Sequence, residues 1–288
     1  MSPLVNSARA IRRRMQIAGG VMLALVISAV LVPIIAPGVA PGTAQTIGDI
    51  LSTRLTPPLS HDHAGRWHTL GTDAFGRDLL VRLWEGARIS LGVGVAGSVL
   101  SGALGILFGA LAGWRGGLID RVVTAIGDTL LAVPRLVLLL VIASLWGPGV
   151  GVVITVLALT GWMAVMRLVR ADVQQVRVMP YVEGAAALGV PSYRVLFRHV
   201  LPNTVGSAGA AITLGIGNAM LLESGLSFLG LGVQPPAASW GNMIAGGREW
   251  LLVAPWIALA PGVLLIVSVV AATMLGEAWA DQRDTRAR

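Results

Sequence analysis

What most limits how this chain can fold is its repeated return to apolar runs long enough to span a bilayer. Such runs fall at about 17–36, 89–113, 122–146, 150–166, 205–222 and 250–275. A spanning helix needs about 20 predominantly apolar residues. In lipid every backbone polar group must be satisfied within the fold, which a helix does unaided. The chain therefore reads as an all-α polytopic membrane protein with six transmembrane helices. With 55% hydrophobic and 12% charged residues it is too apolar for a water-soluble domain.

The charges fall between the runs. Arg9, Arg12, Arg13 and Arg14 precede the first run, Arg115 and Arg121 follow the second, five Arg lie between Arg167 and Arg198, and three close the tail. These 14 occupy what six crossings make one side; Arg54, Arg66, Arg77, Arg82, Arg88 and Arg248 occupy the other, and Arg135 falls within a run. Positive charge concentrates in cytoplasmic segments, so both termini and the stretch 181–203 are expected inside. The net charge of +7 is then explained by orientation in an anionic membrane, and nucleic acid is not an expected partner. A basic start, an apolar core and small residues from Ala40 to Ala44 also fit a signal peptide. The run approaches spanning length, and an uncleaved helix gives an even number of crossings.

All 21 basic residues are Arg. A phosphate-binding loop of the G-x-x-x-x-G-K-[ST] kind needs a Lys that this chain lacks. If transport is driven by ATP, the motor is another polypeptide. Cys is absent too, which removes disulfides, thiolate nucleophiles and cysteine metal sites. His61, Asp62, His63 and His68 lie close together, but an exposed loop loses too much entropy to form a tight metal site without further ligands. That loop is expected to be solvated, with no metal. His199 is the sole His elsewhere; it reads as a packing or hinge residue, and no catalytic residues are expected.

The stretch 181–203, YVEGAAALGVPSYRVLFRHVLPN, is a polar island between two apolar runs. Glu183 to Ala187 reads as a short helix that Gly189 and Pro191 stop, because Gly accepts a left-handed residue and Pro cannot continue the ladder. Ser192 is expected to N-cap a second helix running into Leu201 and Pro202. A small-residue face with a single acid suits close approach by another protein. It resembles the Glu-Ala-Ala loop of ATP-binding-cassette importer permeases: the acid is Glu183, the second Ala is Ala185, the later Gly is Gly189 and the closing pair is Leu201–Pro202. Gly184 replaces the first Ala.

Two further blocks resemble the second, C-type permease of dipeptide, oligopeptide and nickel importers. They are HTLGTDAFGRD (68–78) and LSFLGLGVQPPAASWGNM (226–243). The family's closing Gly-Asp-Gly-Leu-Arg-Asp-like string is replaced by Gly276 to Asp281. The resemblance implies a type I importer permease fold and an inner-membrane, multi-pass location. It implies half of a translocation pore, a second homologous permease chain, two cytoplasmic ATPases that use ATP and magnesium, and an extracytoplasmic solute-binding protein. It further implies coupling through Glu183, Gly184, Ala185, Ala186 and Gly189, with Leu201 and Pro202 fixing the hinge. No cofactor is expected in this chain. A self-sufficient secondary transporter or channel is the alternative; it would be expected to show an internal repeat or several mid-membrane ionisable groups.

The expected divisions are a cytoplasmic tail (1–16), a first transmembrane helix (17–37) and an extracytoplasmic loop with an interfacial helix (38–88). A permease core with five helices and a coupling loop at about 170–203 follows (89–280), then a cytoplasmic tail (281–288). Asp78, Arg82 and Glu85 share a helix face and are expected to pair, with Leu79, Leu80, Leu83 and Trp84 at the interface. Gly105, Gly109 and Gly113, four residues apart, predict close helix packing, as do Gly206/Ala210 and Ala211/Gly215/Ala219. Asp128, Pro134 and Arg135 lie in the third run, in the path or in a pair near its cytoplasmic end. The segment 223–236 breaks periodicity and is expected to line the outer mouth. Asp128, Glu223, Ser227 and Phe228 are the candidate pore or gate residues. Trp250 and Trp256 are expected at one membrane interface and Trp279 at the other.

Overall fold

The computed structural model describes residues 3–35, 47–63 and 65–287. Ala40 to Ala44, the small residues of the signal-peptide alternative, lie outside the described residues, as do the last two positions of the expected first helix. The elements are α1 (Pro3–Ile35), α2 (Ile47–Thr53), the hairpin of β1 (Ser60–His61) and β2 (Trp67–His68), α3 (Leu79–Arg115), α4 (Gly117–Ala132) and α5 (Arg135–Trp146). Then come α6 (Val150–Arg177), α7 (Pro180–Ala187), α8 (Ser192–Val195), a π turn (Leu196–Val200), α9 (Leu201–Phe228), α10 (Trp240–Gly247) and α11 (Trp256–Ala287). Among the described residues, five helices can cross a bilayer by length and composition: Ile11–Val32, Leu79–Arg115, Val150–Arg177, Gly206–Phe228 and Trp256–Gln282. The α4–α5 pair passes the same criterion only when its halves are taken together, bent by 88°, as a broken span or a re-entrant loop.

The bend corrects the expectation of a continuous third crossing. Pro134 removes a backbone donor and pushes Val133 out of the helical region, to φ −86° and ψ 128°. Other boundaries also move. Arg12 to Arg14 belong to α1, since Arg, Ala and Met are good helix formers. At the other terminus α11 runs on to Ala287.

The centre of the bundle is α3, packed most extensively on α6 and then on α9, with α1 and α11 behind. The glycine stripe makes the first contact possible. A Cβ on Gly105 would lie 2.6 Å from the Cβ of Val165, and one on Gly109 would lie 2.6 Å from the Met166 carbonyl oxygen. On Gly113 it would lie 2.8 Å from the Arg170 carbonyl oxygen. Two backbones meet without side chains between them, as the four-residue spacing predicts. On α9, a Cβ at Gly215 would come within 2.5 Å of Ser98 Oγ of α3.

The expected interfacial stretch 79–88 is not separate from the second crossing. Asp78 takes the N-cap of α3, accepting from the Val81 N–H at 3.1 Å, and nothing interrupts the helix until Gly116 at φ +63°. Leu79 and Leu83 are buried with Trp240 and Leu265 in one apolar cluster, so their face meets protein rather than the membrane interface. The expected Asp78–Arg82–Glu85 pairing is corrected in part: Arg82 pairs with Asp73 and Asp78 with His68, while Arg82 and Glu85 still attract each other without a direct ion pair. The Trp256 indole N–H donates to the Thr72 carbonyl at 3.4 Å.

Candidate functional site

The polar island folds into a knuckle at the end of the bundle where α3 and α6 finish. Pro180 starts α7, its missing N–H harmless in the first turn. At the other end the Gly189 N–H donates to the Ala186 carbonyl (3.0 Å) and the Val190 N–H to the Ala185 carbonyl (3.2 Å). That double closure needs a left-handed residue, and Gly189 supplies φ +79°. The chain turns at Pro191 and re-enters helix at once. Ser192 is the first helical residue and not the N-cap, which corrects the sequence expectation; its Oγ accepts from the Trp114 indole N–H at 2.9 Å.

No hinge separates this helix from the next crossing. From Ser192 the chain stays helical through the π turn into α9, with the Leu201 N–H donating to the Leu196 carbonyl. The widened turn accommodates Pro202, which lacks a donor and would crowd the preceding turn of a regular helix. Leu201 and Pro202 lie within this unbroken helical junction.

The inner face of the knuckle is apolar. Val182, Val195 and Val200 are buried with Val165, Val169 and Val173 of α6. Polar contacts fix the rest. Arg177 Nη1 donates to the Trp114 carbonyl at 3.1 Å, covering the end of α3. Asn203 Nδ2 donates to the Tyr181 hydroxyl (3.1 Å) and the His199 carbonyl (2.7 Å), tying α7 to α9. Ser207 binds Asp172, and Arg170 Nη2 binds Asp120 at 2.7 Å. The outer face is open: Glu183, Gly184, Ala186 and Gly189 are exposed, Ala185 is half-buried, and Leu188 is 86% exposed. The five expected coupling residues share this surface. Sequence reasoning missed the supports, Trp114 and Arg177, although both flank helix ends that Gly116 and Met179–Pro180 mark.

The candidate pore residues do not gather. Asp128 sits half-exposed on α4, paired with Arg167 of α6. Phe228 lies under the Arg248 guanidinium, 5.7 Å from the ring centre. Glu223 and Ser227 do meet, but inside the protein: α9 runs on through both to Phe228, which corrects the expected break at 223. Glu223 accepts from Ser227 Oγ at 2.7 Å and Ser90 Oγ at 3.1 Å. Ser90 Oγ accepts from the Trp240 N–H (3.1 Å), and Ser227 Oγ from the Val233 N–H (3.0 Å). This network locks α3, α9 and α10 together.

The loop before α3 is more ordered than a solvated segment. His68, 5% exposed, donates from Nδ1 to Asp78 at 2.7 Å, with Nε2 3.4 Å from Asp62. Burial pushes the Asp62 carboxyl up, but bonds from the Arg66 backbone and side chain and from His68 outweigh it and hold its pKa at about 2. Among the described residues no cluster suited to a metal ion is found.

Residues 105–286 match the family described as the binding-protein-dependent transport system inner membrane component. The chain is 37% identical over 221 residues to the oligopeptide transport system permease protein OppC of Bacillus subtilis, covering 77% of this chain and 72% of that one. It is 38% identical over 222 residues to the dipeptide transport system permease protein DppC of the same organism, covering 77% and 69%. Among solved structures, an inward-facing form of the MetNI methionine ABC transporter superposes with a TM-score of 0.52 at 20% identity. The match covers 73% of this chain and 95% of that one, and it shows the fold. With more than half of the chain under the family model and relatives at this identity over most of their length, the chain belongs to the binding-protein-dependent transport system inner membrane component family.

Proposed function

We propose that this chain is the transmembrane permease subunit of an ATP-driven importer for di- or oligopeptides. It forms half of the pore beside a second, homologous permease. Two cytoplasmic ATPases, which bind the ATP and magnesium, dock on the two Glu183-type knuckles, and an extracytoplasmic solute-binding protein delivers cargo. The carrying observation is the knuckle itself: an exposed Glu183–Gly189 face fixed to α6 and continuous with α9, in a chain without a Lys for its own nucleotide site. A push on it travels along two membrane spans as a rigid lever, tipping the bundle between inward- and outward-open states. The Arg distribution supports a cytoplasmic knuckle and cytoplasmic termini in a bacterial-type inner membrane. The peptide class is supported by the peptide permeases among its relatives. Pairing with a second permease is supported by an apolar trench of about 730 Å³ beside the knuckle, lined by Leu107, Leu111, Tyr193 and Phe197.

The test is Glu183→Arg in the full transporter, with membrane insertion, ATPase co-purification and ATP-driven peptide uptake followed together. Insertion should be normal, while uptake and ATPase retention fall at least about tenfold, the loss expected of roughly 1.4 kcal/mol at one charged contact. Uptake at full rate by this chain alone in a vesicle, without an ATPase, refutes the proposal.

A further inference from the structure

At the end of α3 away from the knuckle, a buried guanidinium lacks its full set of partners. The Arg82 side chain is only 7% exposed, and its Nε lies 3.6 Å from Asp73 Oδ2. Its Nη1 is buried and meets no acceptor among the described residues. Asp73 is already committed. Its Oδ1 accepts from the N–H groups of Phe75 (2.8 Å) and Arg77 (3.0 Å), and its Oδ2 from Arg77 Nε at 2.7 Å.

These residues line a cavity of about 110 Å³ between the loop before α3, α10 and the start of α11. The remaining polar wall residue, Asn242, is used up as well. Its Nδ2 donates to the carbonyls of Val233 (3.1 Å) and Ala237 (2.9 Å), and its Oδ1 accepts from the Ser239 N–H (3.0 Å). Two guanidinium groups thus share the Asp73 carboxylate, and Glu85 acts on both electrostatically without a hydrogen bond to Arg82 Nη1. A buried charge with an open donor is costly unless something completes it, and the planar fork of Arg matches a carboxylate best.

We propose that this cavity is a socket for one Asp or Glu side chain of the extracytoplasmic solute-binding protein, gripped by Arg82. The assignment rests on the importer reading, which places such a protein at this end. The 37 residues of α3 span about 55 Å at 1.5 Å each, so socket and knuckle face opposite sides of a bilayer. The size selects a side chain over the cargo, because whole small molecules occupy pockets of about 300–1,000 Å³. Phe75 lines the cavity, is 60% exposed and carries Arg77 over its ring at 4.7 Å, which marks the open edge.

The experiment uses the complete transporter in nanodiscs and its purified binding protein, with and without bound peptide. Arg82→Met should raise the Kd of both forms at least about tenfold, and Arg82→Lys, which keeps the charge without the fork, several-fold. In parallel, each exposed acid of the binding protein is changed to its amide and tested against the unmodified transporter. One of them should reproduce the loss and add nothing to Arg82→Met. Three results overturn the socket: equal binding by Arg82→Met, a loss confined to the peptide-loaded form, or no single acid that couples to Arg82. The amide series reads the outcome even if Arg82→Met does not assemble. A binding protein that fails to bind the unmodified transporter overturns the importer reading itself.

Discussion

Replacing Gly109 by Ala should destabilise the bundle, although Ala is the better helix former. A Cβ at 109 would stand 2.6 Å from the Met166 carbonyl oxygen and 2.9 Å from the Cβ of Val169. Neither neighbour is the tip of a flexible side chain, so α3 and α6 must separate. Overpacking of this kind costs about 1–3 kcal/mol, offset by the roughly 0.5–1 kcal/mol that Ala gains over Gly in a helix. A net loss of about 1–2 kcal/mol is expected. Gly92 is the control: it lies on the same helix, exposed, with nothing within 4 Å of an added Cβ. Gly92→Ala should be neutral or slightly stabilising. The assay is unfolding in mild detergent followed by tryptophan fluorescence, with yield from the membrane as a second readout. Gly109→Leu should prevent accumulation of folded protein. The packing argument fails if Gly109→Ala unfolds at or above the midpoint of Gly92→Ala.

Three other perturbations bear on separate contacts. Ser90→Ala leaves the Trp240 N–H and Glu223 each one bond short; it should cost about 1–3 kcal/mol and speed hydrogen exchange in α10 before the rest of the bundle. Gly189→Ala forces a side chain into the left-handed region at φ +79°, at about 1–2 kcal/mol; protease cleavage in the 188–191 turn should rise while α6 stays protected. The Asp62 carboxyl has a folded pKa of about 2, below the roughly 3.9 of a free aspartate. A depressed acid stabilises above its unfolded value and loses that contribution as pH falls through the folded one. The loop around Arg66 should therefore loosen between about pH 4 and pH 2, as read by amide exchange, and Asp62→Asn should remove that dependence.

Which features could be read from the sequence follows from how local their causes are. The glycine stripe of α3 and the left-handed turn at Gly189 were legible because each depends on a few residues close in sequence. The spans were legible as apolar runs, but their ends were not. Leu79 to Arg88 carries two arginines and a glutamate, which reads as an interfacial helix until Asp78 caps it and Trp240, 157 residues on, covers Leu83. The same holds at Glu223: a charge at the end of an apolar run suggests a boundary, and only Ser90, 133 residues away, lets the helix continue through it. Charge ends a span in lipid, but a buried partner cancels that signal, and the partner is invisible to any local window.

This division matters for the lever. Motion entering at Glu183 has no loose joint to dissipate in, since Val182, Val195 and Val200 bind the knuckle to α6 and the π turn joins it to α9 without a break. The next place where the bundle can yield is the 88° break between α4 and α5, whose half-helices pack on the α3–α6–α9 trio, through Leu139 among others, less extensively than the three pack on one another. A rigid trio with one bent neighbour moves as a body against that neighbour, because packed interfaces have discrete arrangements rather than a continuum. Joining the halves by Pro134→Ala should therefore change the rate of transport more than the affinity of the knuckle for its ATPase. An equal loss in both would place the moving joint elsewhere.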